Sequence, residues 1–147
     1  MRRAEIERLA WSEIDFDADV IEVKASKSKT ASRRLVTIQP NLREWLAPYR
    51  TSVGRVCPVN LQPKINDDRE RAALRAGWPQ NALRHSFGSY HLAQFNDAAK
   101  LALEMGNSPA TIFRHYRQLV KPKQEEHYWK LAPAATGKKV VAFSPSA

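Results

Sequence analysis

Four residues far apart in this 147-residue chain, Arg2, Lys29, Arg84 and Tyr116, have side chains suited to work on a phosphodiester. Breaking that bond without a metal needs a nucleophile, donors for the charge on the phosphorus-centred transition state, and a proton for the leaving oxygen. Tyrosine can be the first. Arginine serves the second best, with planar bidentate donors and a charge it never loses. Lysine can supply the third. Each residue also has a plainer explanation. Tyr116 stands in TIFRHYRQLV, where an aromatic among apolar residues is as readily core packing as a nucleophile among cations. Arg2 and Arg84 could be solvated helix residues, and Lys29 one more charge on a loop. Composition alone leaves these alternatives open.

Other chemistries are excluded more simply. Asp15, Asp17 and Asp19 alternate as in a calcium loop, but such a loop needs Gly where Val20 stands and Glu where Ser26 stands. The four histidines have no paired ligand spacing, one cysteine cannot build a zinc site, and there is no glycine-rich phosphate loop. No metal and no cofactor is expected. With 24 Lys and Arg against 15 Asp and Glu, the formal charge of +9 favours a polyanionic partner, most simply nucleic acid. Cys57 stands alone, which fits a reducing compartment. No apolar run approaches the roughly 20 residues of a membrane span, so a soluble, cytoplasmic protein is expected.

The elements that must position these residues read as mainly helical with a small antiparallel hairpin, an α+β arrangement. RRAEIERLAW has Ile6, Leu9 and Ala10 at helical spacing with no capping residue before it, as in a piece of a longer helix. DVIEV and RRLVTI are β-branched runs joined by the basic stretch KASKSKTAS, a hairpin with a long tip. NLREWLAPYR is a helix with Leu42, Trp45 and Leu46 on one face; residues 51–63 read as loop. INDDRERAALRAG is a charged helix closed by Gly77. WPQNALRHSFGSYHLAQF begins with a Pro and an Asn that can cap its helix, and DAAKLALEMG is a short helix ended by Gly106. SPATIFRHY opens with Ser108 at the N-cap and Pro109 at the first helical position. PKQEEHYWKL is a last helix. The first 133 residues are expected to form one domain, and residues 134–147 a tail that is flexible or docked on a partner.

Order and spacing separate the alternatives. MRRAEIERLAW resembles the first box of the tyrosine recombinases, the phage-integrase family, where an arginine leads into a helix ending near a Trp. SKT followed by RRLVTI is similar to that family's β-hairpin with its lysine. NALRHSF is similar to its His-x-x-Arg-His box. EMGNSPATIFRHY is similar to its Leu-Gly-His box, whose tyrosine lies nine residues past the histidine, the interval between Asn107 and Tyr116 here. The resemblance spans roughly residues 1–131 and implies the family's catalytic-domain fold. It implies that Tyr116 attacks a DNA phosphate to leave a 3′-phosphotyrosyl bond, and that Arg2 and Arg84 clamp the non-bridging oxygens. Lys29, or Lys27 if the hairpin aligns differently, would protonate the 5′ oxygen, and His85 would buttress the site. Lys27, Arg33, Arg34 and Arg114 are expected to contact DNA. The partners implied are duplex DNA and further copies of the chain in a synaptic tetramer, with C-terminal segments exchanged, in DNA integration or recombination by a mobile element.

The chain departs from the family pattern in three ways. Asn81 and Asn107 stand where histidines are usual, and asparagine donates a hydrogen bond but exchanges no proton near neutral pH. His115, adjacent to Tyr116, points about 100° away on a helix and is poorly placed to substitute. The family's N-terminal clamping domain and the start of its catalytic domain lie outside these residues, which is expected to uncover Ile6, Leu9 and Trp11. A non-enzymatic DNA-binding remnant is therefore the competing expectation.

Overall fold

In the computed structural model of the chain, the described residues are 1–27, 32–58, 61–74, 78–116 and 122–133; the side chains of Lys27 and of residues 122–124 are not among them. Lys29, Gly77 and the tail from residue 134 therefore lie outside the described residues.

The chain opens with α1 (Arg3–Glu7), preceded by an extended Arg2. The helix is only five residues long, not a long one entered part-way, and Glu5 supplies the cap: its Oε2 accepts from the Arg2 backbone N–H at 2.6 Å. After a 3-10 turn (Trp11–Glu13) come β1 (Ile14–Asp15), β2 (Val20–Val23) and β3 (Arg34–Thr37), an antiparallel sheet in that order. The hairpin is β2 and β3, paired from Val20↔Thr37 to Val23↔Arg34. The two-residue β1 lies outside the sequence expectation because it is too short to show alternation. Asp15, Asp17 and Asp19 have ordinary roles. Asp15 accepts from the N–H groups of Asp17 and Ala18 in the turn, Asp17 pairs with Arg50, and Asp19 pairs with Arg43.

Five further helices cross and follow the sheet: α2 (Pro40–Leu46), α3 (Leu61–Arg71), α4 (Ala82–Phe95), α5 (Ala98–Met105) and α6 (Pro109–Tyr116). A seventh, α7 (Pro122–Trp129), packs on α4, where Tyr128 stacks on Tyr90 at 4.3 Å. The expected face of α2 is only half covered: Trp45 is 45% exposed, with its indole N–H on Leu131 O. α3 begins four residues before the charged run INDDRERAALRAG, so residues 61–63 are helix rather than the expected loop, since Pro63 is harmless in a first turn. It closes on Ala73 at φ +53, with Leu74 N–H on Arg69 O, before the predicted glycine is reached. Ser108 caps α6 as expected, its Oγ accepting from Thr111 N–H at 3.2 Å.

Two apolar clusters hold these elements. One joins Leu9, Ile14, Ile21, Val23, Val36 and Ile38 under the sheet. The other joins Leu101, Ala102, Met105, Ile112 and Tyr116 among the helices. Leu9 is buried, contrary to the expectation that it would be uncovered, because the backbone of residues 54–56 pairs against it; Val56 N–H bonds to its carbonyl. Trp11 stacks on Tyr49, and Ile6 stays 37% exposed. Between the clusters, where α5 lies along β3, sits a polar layer of Glu5, Arg34, Thr37 and Glu104. That seam carries the candidate site.

Candidate active site

The C-terminus of α5 organises the site. A helix leaves its last carbonyls without partners and its C-terminal end partly negative. Here three successive carbonyls each accept from a different arginine. Glu104 O takes Arg34 Nε at 3.1 Å, Met105 O takes Arg84 Nη2 at 2.7 Å, and Gly106 O takes Arg2 Nη2. These arginines come from β3, α4 and the entry to α1, so one helix end gathers residues up to 104 positions away from it.

Gly106 makes the approach possible. It ends α5 at φ +63, with its own N–H on Leu103 O and Asn107 N–H on Ala102 O, the paired bonds of a Schellman closure. A Cβ there would stand 3.0 Å from Arg34 Cζ and 3.2 Å from Arg2 Nη1. The two guanidiniums flank the glycine. Asn107, the next residue, turns its Oδ1 to Arg2 Nη2 at 3.5 Å.

Glu5 ties the arginines together from the other side. Its carboxylate is 2% exposed; Oε1 accepts from Arg2 Nη1 at 3.2 Å and Oε2 from Arg34 Nη2 at 2.6 Å. Burial pushes this carboxyl's pKa up, but the bonds from Arg34 and Arg2 outweigh it and hold the group below the usual carboxylate range. Sequence reasoning did not single out Glu5. The signal was its place three residues after Arg2, the N-cap-to-N3 spacing of a capping box.

Tyr116 closes the site from α6. The residue is 4% exposed, and its ring lies on α4 at Gly88, where a Cβ would come within 2.5 Å of Cδ1 and 2.6 Å of Cε1. His85, one turn earlier on α4, stacks on the ring at 5.3 Å between centroids. Burial, followed by repulsion from Arg2, lowers the affinity of the Arg84 guanidinium for its proton, while the nearby Tyr116 phenol and Glu5 act in the opposite sense. Arg84 Nη1 is buried and has no hydrogen-bond partner. The opening alternatives for Tyr116 therefore coincide: the ring is core packing, and the phenol lies beside a cation.

The fold brings together Arg2, Arg84, His85, Asn107 and Tyr116. Asn81 occupies the N-cap position of α4 at φ +59, but its side chain caps nothing, so its value there is tolerance of the left-handed backbone. Arg33 is exposed on the hairpin and paired with Glu22 at 2.6 Å, and Arg114 is exposed on α6. Arg34, expected among the DNA contacts, is instead 8% exposed, because the alternation that buries Val36 and Ile38 turns position 34 inward too. Lys27 ends a 3-10 turn (Ala25–Lys27), and Lys29 lies outside the described residues. Among the described residues no group of His, Cys, Asp and Glu is placed to hold a metal, and no helix is long and apolar enough to cross a membrane.

No protein-family model matches this sequence, and no curated protein matches it. Among solved structures, this chain is similar to the crystal structure of XerA recombinase, aligned at a TM-score of 0.63 and 22% identity over 86% of this chain. The fold is similar to that of XerA recombinase. The present chain spans half of XerA's length, 50%.

Proposed function

We propose that this chain carries the strand-cleaving site of a DNA recombinase of the tyrosine type. The observation that carries the reading is the convergence of Arg2 and Arg84 on adjacent carbonyls of α5, with the Tyr116 phenol against Arg84 and a buried Arg84 Nη1 without a partner. Two fixed guanidiniums beside a hydroxyl are what a phosphodiester needs from a metal-free site. The four-box resemblance and the likeness of fold to XerA recombinase support it.

In this mechanism Tyr116 Oη attacks a backbone phosphorus and the bond to the 5′ oxygen breaks, leaving a 3′-phosphotyrosyl link. The phenolic proton is lost to solvent, and Lys29 gives a proton to the departing 5′ oxygen. Arg2 and Arg84 hold the non-bridging oxygens as charge builds on them. His85 fixes the ring, and Asn107 helps to hold Arg2. Rejoining is the reverse, with a 5′ hydroxyl attacking the phosphotyrosine. Duplex DNA is the substrate, met by the exposed Arg33 and Arg114, with Lys27 as a further contact implied by the resemblance. Self-association on DNA and a cytoplasmic location follow from the same reading.

The burial of Tyr116 favours a second reading, a DNA-binding remnant whose tyrosine only packs. Covalent trapping separates the two. Protein is mixed with labelled duplexes whose nick lets a short 5′ fragment leave, and products are run on a denaturing gel. The recombinase reading expects an adduct lost in Tyr116→Phe. A folded, DNA-bound protein that never forms one supports the remnant.

A further inference from the structure

Arg34 has no role in the strand-cleavage scheme, yet it sits at its centre. Its fork reaches Glu5 on α1 and the Glu104 carbonyl on α5 while its backbone is fixed in β3. At 8% exposed, it lies behind Arg2, whose side chain is 25% exposed, and cannot itself reach a duplex.

We propose that Arg34 is a positioning residue that keeps Glu5 from neutralising Arg2, so that the clamp meets a phosphate with a net positive charge. With Arg2 alone, the buried Glu5 carboxylate would form a closed pair of zero net charge. A phosphate would then compete with Glu5 for the same guanidinium. Arg34 occupies Oε2 at 2.6 Å, the shorter of the two contacts, and Arg2 Nη1 holds Oε1 at 3.2 Å. Two cations and one anion leave +1 for the trio, added to the charge of Arg84. The Glu5 contact also fixes the angle of Arg2, because the same Oε2 accepts from the Arg2 backbone N–H. An arginine suits the place best, since its planar fork holds the carboxylate and the Glu104 carbonyl together, whereas a lysine would keep the charge and lose the second contact.

This inference rests on the phosphate-holding part of the function proposed above, and its test is independent of whether Tyr116 cleaves. The first readout is the rise in melting temperature in sodium phosphate over sodium chloride at matched ionic strength, with inorganic phosphate as the probe. Wild type gains. Arg34→Gln melts lower in chloride and loses the gain. Arg34→Lys keeps the charge and keeps most of the gain. The double variant Glu5→Gln with Arg34→Gln removes both partners of the buried pair, restores +1 at Arg2, and regains it. A merely architectural Arg34 would move the chloride melting temperature without moving the difference between the two salts. The second readout is adduct formation on the nicked duplex: Arg34→Gln slows it by roughly ten- to a hundredfold, the range expected when a catalytic group is displaced, and the double variant recovers most of the loss. Phosphate gains in this pattern without any wild-type adduct keep the Arg34 inference and defeat the cleavage reading. A wild type without a phosphate gain, an Arg34→Gln that retains it, or a double variant no better than the single one overturns the inference.

Discussion

Replacing Gly88 by alanine should separate the stability of the fold from the placement of Tyr116. The added Cβ would stand 2.5 Å from Tyr116 Cδ1 and 2.6 Å from Cε1, against the roughly 3.5 Å at which carbon atoms begin to rest comfortably. One side must move by about 1 Å. The ring has little room, because His85 stacks on it and Ile112 is fully buried one turn earlier on α6. Overpacking of this kind costs about 1–3 kcal/mol. Alanine inside a helix returns up to about 1 kcal/mol over glycine. The net loss should be on the order of 1 kcal/mol, a fall of roughly 2–4 °C in melting temperature for a chain of this size. A nucleophile displaced by about 1 Å loses on the order of a hundredfold in rate. The assays are thermal melting by circular dichroism and single-turnover adduct formation on a nicked duplex. A variant with wild-type adduct rates and a near wild-type melt would refute the claim that Gly88 seats the ring.

Two other substitutions test the polar layer. Glu5→Gln leaves Arg2 and Arg34 facing a neutral amide and should cost about 3 kcal/mol or more near neutral pH, read by urea denaturation. Because the Glu5 pKa is depressed in the fold, its stabilisation is present above the unfolded carboxyl value of about 4.3 and is lost as pH falls through the folded one. The variant should therefore lose less stability than wild type on acidification in that window, and equal acid slopes would contradict the assignment. His91 is 0% exposed, has no hydrogen-bond partner at either ring nitrogen, and lies 3.8 Å from Glu104 Oε2. Burial, partly opposed by Glu104, depresses its pKa, so the stability tied to keeping it neutral is present above about 6.5 and lost below. His91→Leu should remove that acid sensitivity, seen by comparing melts at pH 7.5 and 5.5; a variant as acid-sensitive as wild type contradicts it.

What was legible in the sequence followed local rules. Ser108 and Pro109 mark the start of α6 because capping and a preset φ are properties of single residues. Gly106 marks the end of α5 because only a left-handed position turns the chain there. The boxes named Arg2, Arg84, His85, Asn107 and Tyr116, which the fold brings together through α4, α5 and α6. Misses arose where a long-range contact overrode the local pattern. Arg34 reads as a surface charge until Val36 and Ile38 are taken as core, after which period-two alternation forces it inward. Glu5 and Glu104 each lie among apolar neighbours, and only the partners across the seam explain why a charge is tolerated there. The short α1 ends at Glu7 because the following residues pair with residues 54–56, a contact no local spacing announces.

The most direct test of the central claim is to identify the residue that bears the DNA. Adduct from a nicked duplex is digested with nuclease and protease, and the peptides are read by mass spectrometry. The account predicts a nucleotide remnant, linked through its 3′ phosphate, on the peptide containing Tyr116 and absent from Tyr116→Phe. A remnant on another residue, or no remnant from folded protein bound to the same DNA, would contradict it.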